Sequence, residues 1–398
     1  MKIMTMGESP YRLTSNGKIH SDIIKIMSSE GHEVIASAWG FDTSWFLPDE
    51  NEIHYYEEKN NKICSILPFI NSHDKASCQI YEIMKKVQPK VVITVGDCSQ
   101  TSFLFSIKAI YPDLFKWIAI MPIGAIPIEK HYHQSFSYMD AVIVTNKESL
   151  EEINRISNNP NIFYCSYGPD KEVMYEHTVE DKDFLRVMMV AKNDGLSNIP
   201  AFIKAVNIAS REIKGKIRGY LHTNLYDKGF YDIESLVERY GNAVDIPSSF
   251  VSSNEGITDE ELRDEYNKSH VIVDCSISSA TGLTLLEGIS CGCLPLFNLI
   301  GTKKDIFSEM ENVPYLHSYK YVGRGEIEYS IVDPEQMAQS LLYLYSQKNK
   351  LTTEWIRMQR QSQNILEKYD KKHFFKRIKE IFKETVNNDS PLILEEIL

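Results

Sequence analysis

A length of 398 residues is too great for one ordinary hydrophobic core and predicts two domains. The 43% hydrophobic and 25% charged residues are usual for a globular protein, and a formal net charge of −12 argues against binding to a nucleic-acid backbone. Seven scattered cysteines favour reduced core thiols over a disulfide framework.

Short β-branched runs alternate with helix-length segments along the first part of the chain. The predicted strands are Lys2–Met6, Glu33–Ala38, Val91–Val95, Trp117–Met121, Ala141–Thr145 and Asn161–Cys165. The helices predicted between them include Lys18–Ser29, Ser77–Val87, Gln100–Ile110 and Lys147–Ile156. This alternation is typical of βαβ units and a parallel sheet.

The alternation stops over residues 170–184 and then begins again. The later predicted strands are Leu185–Ala191, Lys216–His222, His270–Cys275 and Leu294–Asn298. After about residue 334 the pattern indicates only helices, over Pro334–Gln347, Thr353–Tyr369 and Lys371–Thr385, before the tail Asn387–Leu398. We predict one doubly wound domain over residues 1–175, a second over 176–365, and a helix with a tail over 366–398 that packs back on the first domain.

The cellular location is predicted from two kinds of apolar segment, a signal peptide and a membrane span. The first residues lead directly into Gly7 without the apolar region of a signal peptide. No apolar run approaches the roughly 20 residues that a membrane span needs. We therefore expect a cytoplasmic protein with no membrane span.

One segment is more informative than the rest. It lies between the strand that ends near Cys275 and an apolar helix that begins near Gly282. Its small residues allow backbone amides to approach a ligand, and the helix N-terminus adds a partial positive charge, so the segment suits a phosphate. Glu287 is the one charge in this helix. A buried carboxylate needs hydrogen-bond donors, which the two hydroxyls of a ribose would supply; a Glu at the edge of an amphipathic face is the alternative interpretation.

This segment resembles the signature of the retaining GT-B glycosyltransferases of family 4, also called glycosyltransferase group 1. That signature reads Ser-x-x-Glu-Gly-Phe-Gly-Leu-x-x-Leu-Glu-Ala-Met-Ala-Cys-Gly. The matching positions are Ser276, Gly282, Leu283, Leu286, Glu287, Cys291 and Gly292. The resemblance implies an α/β protein of the GT-B fold, with two Rossmann-like domains facing a central cleft and C-terminal helices.

The resemblance also implies an activity and a donor site. The activity is that of a metal-independent hexosyltransferase that retains configuration, with no cofactor and a nucleoside-diphosphate sugar as donor substrate. Glu287 would bind the donor ribose, and the amides of Gly282, Leu283 and Thr284 would bind its phosphates. The segment Ser15-Asn16-Gly17-Lys18 resembles the N-terminal glycine loop of the family, which implies Gly17 as a further phosphate contact.

The chain departs from the family at several polar positions. Ser279 replaces the first Glu of the paired-Glu signature, which usually contacts the donor sugar. Lys192 replaces the pyrophosphate-binding Arg, and Ser197 replaces its partner Lys. We predict Lys192 and Ser279 as the catalytic positions, with Lys192 also contacting the donor phosphate.

The acceptor side is less well defined. No titratable group lies at Met121–Gly124, where the family often carries a His or Asp. His131 and His133 follow a few residues later and are candidates, although exposed helix histidines are the alternative interpretation. Asp97 and Ser99 lie at the end of a predicted strand and are further candidates, and a helix-capping Asp97 is the alternative there.

Metal and partner expectations follow from the same residues. Asp181-Lys182-Asp183 matches an Asp-x-Asp manganese signature, but it precedes a strand instead of following one, so we interpret it as a linker and predict no metal site.

The expected partners are a nucleotide sugar and a glycan, lipid or other small acceptor, and not nucleic acid. Two alternatives remain: a degenerate GT-B protein that binds a sugar nucleotide or acts structurally without turnover, and a glycosyltransferase of modified DNA bases.

Overall fold

The computed structural model describes residues 1–39, 54–58, 61–68, 76–179, 183–225, 230–247, 256–310, 315–323 and 326–387. Contacts divide the chain into two compact units. The N-terminal unit consists of Met1–Ser166 and the chain from Phe375 onward, and the C-terminal unit is Tyr167–Phe374. The sequence predicted a division after residue 175. The contacts place it after Ser166, and within the C-terminal unit the ring of Tyr167 packs edge-on against Phe374, with 5.0 Å between centroids.

The described part of the N-terminal unit contains eight strands: β1 Lys2–Glu8, β2 Glu33–Trp39, β3 His54–Glu58, β4 Asn61–Pro68, β5 Val91–Val95, β6 Lys116–Met121, β7 Ala141–Val144 and β8 Ile162–Tyr164. They form one sheet in the order β3-β4-β2-β1-β5-β6-β7-β8. All neighbours are parallel except β3 and β4. The strand order reverses between β1 and β5, which makes their carboxyl ends the expected ligand edge.

The helices of this unit follow the strands as crossover connections. They are α1 Ser15–Ser29, α2 Ala76–Val87, α3 Cys98–Thr101, α4 Leu104–Ile110, the 3-10 helix Lys130–Tyr138 and α5 Lys147–Ile156. Strands β5 and β7 are buried at every position, as is typical of the inner strands of a parallel sheet.

The C-terminal unit is built in the same way. Its strands are β9 Leu185–Val190, β10 Ile217–His222, β11 Val244–Asp245, β12 Val271–Asp274, β13 Leu294–Phe297, β14 Ser318–Val322 and β15 Glu328–Val332. The first five form a parallel sheet in the order β11-β10-β9-β12-β13, and the last two form an antiparallel hairpin. Here the strand order reverses between β9 and β12, which are paired through Val271↔Val187 and Ile272↔Met188.

The remaining helices complete the chain. They are α6 Ile199–Glu212, α7 Ile233–Tyr240, α8 Asp259–Asn267, α9 Leu283–Ser290, α10 Thr302–Phe307, α11 Pro334–Asn349, α12 Thr353–Ile365 and α13 Lys371–Asn387. From Phe375 onward α13 belongs to the N-terminal unit. There Lys379 lies 2.7 Å from a carboxylate oxygen of Glu30, and Phe382 packs against His32. The predicted tail beyond Asn387 lies outside the described residues.

The predicted α/β class, with two Rossmann-like parallel sheets and C-terminal helices, is confirmed. The short strands β3, β11, β14 and β15, and strand β4, were not predicted. Within the described ranges, no helix is both long and apolar enough to cross a membrane.

Candidate active site

Two loops of the C-terminal unit meet where its sheet order reverses. The loop after β9 begins with Ala191 and Lys192, and the loop after β12 runs over Ser276–Gly282. The amide of Ile277 donates a hydrogen bond to the carbonyl oxygen of Leu196 at 2.8 Å, which joins the two loops directly. Open parallel sheets bind ligands at such a reversal, outside the carboxyl ends of the strands. The two predicted donor segments therefore lie side by side at the expected edge.

Gly282 sets the start of helix α9. Its φ of +62° is in the left-handed region, which favours glycine, and a Cβ there would lie 2.6 Å from Cδ1 of Ile306. Among the described residues, no side chain caps the N-terminus of α9 by the usual hydrogen bond. The amide of Leu283 has only a long contact, 3.4 Å, with Oγ1 of Thr281. An uncapped helix N-terminus of this kind suits an anion.

Lys192 and Ser197 differ in what their side chains can offer a ligand. Lys192 is exposed, and within the described ranges its ammonium forms no ion pair with a carboxylate. Ser197 is buried, and its amide and hydroxyl both donate to Oδ1 of Asp194, at 3.0 and 2.9 Å. The Ser197 hydroxyl therefore stabilises its own turn, while the exposed Lys192 projects its charge into solvent.

Glu287 has a protein partner. It lies in the second turn of α9 with only 4% of its surface exposed, so it is not at the edge of an amphipathic face. The hydroxyl of Tyr266, in α8, donates to its Oε2 at 3.2 Å. Burial, and the Glu287 carboxylate beside it, raise the pKa of Tyr266 well above its usual value, so the hydroxyl stays protonated as a donor. The ribose contact of Glu287 stays a prediction.

Ser279 lies in the middle of the loop after β12. It is buried, and its carbonyl oxygen accepts a hydrogen bond from the amide of Thr302 at 3.2 Å. This contact ties the middle of the loop to the start of α10. The role of the Ser279 side chain toward a donor sugar stays a prediction.

Gly17, in the N-terminal unit, is enclosed by its own chain. Its amide donates to Oγ1 of Thr14, which caps α1, at 3.1 Å. A Cβ at Gly17 would lie 2.3 Å from the carbonyl oxygen of Arg12, so the close approach of this loop requires glycine. The amide that the resemblance implies as a phosphate contact is thus already used by the cap, and its phosphate role stays a prediction.

Asp97 and Ser99 follow β5 and form a helix cap. Oδ1 of Asp97 accepts from the amides of Ser99 and Gln100, at 2.9 and 3.2 Å, and from the Ser99 hydroxyl at 2.6 Å. The capping interpretation of Asp97 is therefore what the structure shows. An acceptor role for either residue stays a prediction.

The two histidines follow β6, the neighbour of β5, in the 3-10 helix. His131 is exposed, with Nδ1 3.7 Å from a carboxylate oxygen of Glu129. His133 is half-buried, and its Nε2 lies 2.9 Å from the carbonyl oxygen of Ile128. His131 is thus the better placed of the two to meet a ligand in solution.

Several solved structures share this architecture. Sucrose-phosphate synthase from Thermosynechococcus elongatus matches with a TM-score of 0.72 at 14% identity, over 96% of this chain and 98% of that chain. Trehalose 6-phosphate synthase from Burkholderia multivorans has a TM-score of 0.70 at 7% identity, over 98% and 99%. The pneumococcal O-GlcNAc transferase GtfA has a TM-score of 0.64 at 10% identity, over 98% and 99%.

The chain has the GT-B fold. No protein-family profile matches it, and no curated protein is similar to it in sequence. At 7–14% identity the likeness concerns the fold alone.

Two features of this candidate site were not predicted from the sequence. One is the Tyr266 partner of Glu287. The other is a buried lysine, Lys303, that binds Asp274 and Asn298 at the ends of β12 and β13. A charged residue closing an apolar strand, as Asp274 does, is a sequence signal for the second feature. No signal identifies its partner 29 residues later.

No metal site is seen within the described ranges. No three His, Cys, Asp or Glu side chains there lie close enough together to hold an ion. Asp181 and Lys182, from the Asp-x-Asp match, lie outside the described residues.

Proposed function

We propose that this chain transfers a hexose from a nucleoside-diphosphate sugar to a glycan, lipid or other small acceptor, with retention of configuration and without a metal. One observation carries the proposal: the exposed Lys192 and the uncapped N-terminus of α9 stand on two joined loops at the reversal of the sheet. Both are positive and both are at the edge where open parallel sheets bind ligands. We propose the same cytoplasmic location that the sequence predicts.

The chemistry follows from where charge develops. The bond between the anomeric carbon and the diphosphate oxygen breaks and a bond to the acceptor oxygen forms on the same face of the sugar, while the acceptor proton passes to the departing diphosphate or to solvent. Negative charge therefore accumulates on the departing diphosphate in the transition state. In the proposal Lys192 and the amides of Gly282, Leu283 and Thr284 stabilise that charge. Glu287 binds the ribose and Ser279 lies toward the sugar. We assign no side chain as general base.

Two structural neighbours suggest the first donors to test. The GtfA structure is in complex with UDP and GlcNAc, and a trehalose-6-phosphate structure from E. coli is bound with UDP-2-fluoro glucose. Uridine diphosphate sugars are therefore the first candidates.

The test compares Lys192→Ala with the wild type in binding UDP and uridine. Loss of one charge-assisted contact, about 1.5–3 kcal/mol, should weaken UDP binding about tenfold or more and leave uridine binding unchanged. Lys214→Ala is the matched control, because Lys214 is an exposed lysine that precedes β10, at the opposite end of the same sheet. Equal losses for UDP and uridine would place Lys192 away from the phosphate.

Transfer activity should also survive chelation by EDTA. Loss on chelation, restored by manganese, would contradict the metal-independent mechanism.

A second candidate is a GT-B protein that binds a sugar nucleotide without turnover. The observation that favours it concerns two positions where the resembled signature carries charged side chains: Ser279 offers no carboxylate, and the Ser197 hydroxyl is bound to Asp194. Tight UDP binding, together with no release of UDP from any of a panel of uridine diphosphate sugars, would favour this candidate.

A further inference from the structure

Lys303 places a buried cation at the carboxyl edge of the C-terminal sheet. It lies in α10 and is 0% exposed. Its Nζ is 3.2 Å from Oδ1 of Asp274, 3.3 Å from the carbonyl oxygen of Asp274 and 2.7 Å from Oδ1 of Asn298. Asp274 is the last residue of β12, and Asn298 directly follows β13. The three ammonium protons therefore have three acceptors, taken from the ends of two neighbouring strands.

Asp274 and Asn298, the two residues that Lys303 binds, in turn bind the backbone of Ser276. Oδ1 of Asp274 accepts a hydrogen bond from the amide of Ser276 at 2.9 Å. Nδ2 of Asn298 donates to the carbonyl oxygen of Ser276 at 3.1 Å. Ser276 is thus bound on both its donor and its acceptor, at the start of the loop that leads to Gly282.

Thr302, the neighbour of Lys303, binds the same loop further along. Its amide donates to the carbonyl oxygen of Ser279 at 3.2 Å, and its Cγ2 lies 3.2 Å from where a Cβ on Gly282 would be. The loop is therefore held at Ser276 by Asp274 and Asn298, the two partners of Lys303, and at Ser279 by Thr302 of α10.

Lys303 and Asp274 form a buried ion pair, which does not by itself stabilise a fold more than apolar packing would. Burial by itself would raise the pKa of Asp274, but Lys303 and Ser276 lower it, and the net pKa lies below its usual value. Replacing a buried ion pair by apolar residues of similar volume is often neutral or stabilising. Stability alone is therefore a weak reason for a lysine here. The lysine donates three hydrogen bonds in fixed directions, which an apolar residue of the same size cannot do.

We propose that Lys303 is a positioning residue for the donor-phosphate loop. By orienting Asp274 and Asn298 it fixes the backbone of Ser276, and through it the approach of the amides of Gly282, Leu283 and Thr284 to a diphosphate. This inference rests on the proposed function, since that function supplies the diphosphate. Lys303 itself is buried and touches no substrate.

The test uses two variants and a control. Lys303→Met removes the cation but leaves Asp274 charged and buried, which risks unfolding. The double variant Asp274→Asn, Lys303→Met is neutral at both positions and keeps an acceptor for the Ser276 amide, so it is the variant that stays informative. Arg186→Met is the control, because Arg186 is a mostly buried cation with three contacts at the opposite end of β9: Glu265 Oε2 at 2.6 Å, Glu265 O at 2.9 Å and Ser269 Oγ at 2.9 Å.

The first measurement is amide hydrogen exchange over residues 276–284 of the ligand-free protein. We expect exchange in this segment to rise about tenfold or more in the double variant and to stay at the wild-type rate in Arg186→Met. The second measurement is the ratio of the dissociation constants for UDP and uridine. We expect UDP binding to weaken about fivefold or more in the double variant while uridine binding is unchanged.

The outcomes separate the inference from the proposed function. Wild-type exchange over residues 276–284 in the folded double variant would overturn the inference, whatever the nucleotide affinity. Faster exchange with an unchanged UDP-to-uridine ratio would also overturn it, because the loop would then not govern the phosphate. If exchange rose but the wild type bound no nucleotide, Lys303 would still position the loop, and the proposed function would be wrong.

Discussion

Replacing Glu287 tests the ribose contact against a purely structural role. The residue is only 4% exposed, and its Oε2 accepts from the hydroxyl of Tyr266, which is fully buried. Tyr266→Phe removes only that hydroxyl, so it should cost about 1.5–3 kcal/mol of folding free energy, the worth of a hydrogen bond to a charged group. Glu287→Ala should cost more, because it also leaves the buried Tyr266 hydroxyl without this acceptor and opens a cavity.

The ribose hypothesis adds a separate effect on binding. Two ribose hydroxyls donating to Glu287 would contribute about 1.5–3 kcal/mol each, so losing even one should weaken nucleotide binding about tenfold or more. Glu287→Gln keeps the shape and part of the acceptor capacity and should fall between the wild type and Glu287→Ala. Because uridine carries the ribose, uridine and UDP should weaken together, unlike the pattern expected for Lys192→Ala.

The assay is denaturant unfolding and calorimetric titration of uridine, UDP and free uracil on the wild type and the three variants. Tyr266→Phe serves as the control, since it lowers stability without removing the carboxylate. If Glu287→Ala lowered stability while the folded fraction kept its affinity for uridine, Glu287 would have a structural role and no contact with the ribose. The donor site would then lie elsewhere on the GT-B fold.

Two further predictions concern the folded state. Burial lowers the pKa of His20 to about 4, whereas an unfolded histidine has a pKa of about 6.5, so the unfolded chain binds more protons between these pH values. The free energy of unfolding should therefore fall as the pH drops from 6.5 toward 4, by about 2 kcal/mol at pH 5. His20→Gln should show a smaller fall. Urea unfolding at pH 7 and pH 5 measures this, and equal pH dependence of the two proteins would refute it. A Cβ at Gly288 would lie 2.8 Å from Cβ of Ile272 in β12, so Gly288→Ala should lower the free energy of unfolding by about 1–3 kcal/mol. Gly195→Ala is the control and should lower it much less, because the nearest atom to a Cβ there is 3.5 Å away. Similar melting temperatures for the two variants would contradict the close packing of α9 on the sheet.

The parallel strands and most helices were predictable from local patterns. Val91–Val95 and Lys147–Ile156 have the same bounds in the sequence prediction and in the structure. Inner strands of a parallel sheet are buried on both faces, so they stand out as β-branched runs. β3, with the sequence His-Tyr-Tyr-Glu-Glu, has no such run and is a strand only because it pairs with β4 at the sheet edge.

The sequence by itself also determined which residues stand on the loops after strands, among them Lys192, Asp97 and the small residues before Gly282. It could not determine which loops are neighbours. The sheet order places β9 beside β12, and only that order joins Leu196 to Ile277. The Tyr266–Glu287 and Lys303–Asp274 contacts were likewise decided by the tertiary structure. The physical reason is that periodicity records how each element is buried against its surroundings, whereas a contact between two polar side chains far apart in the chain exists only once the elements that carry them have packed.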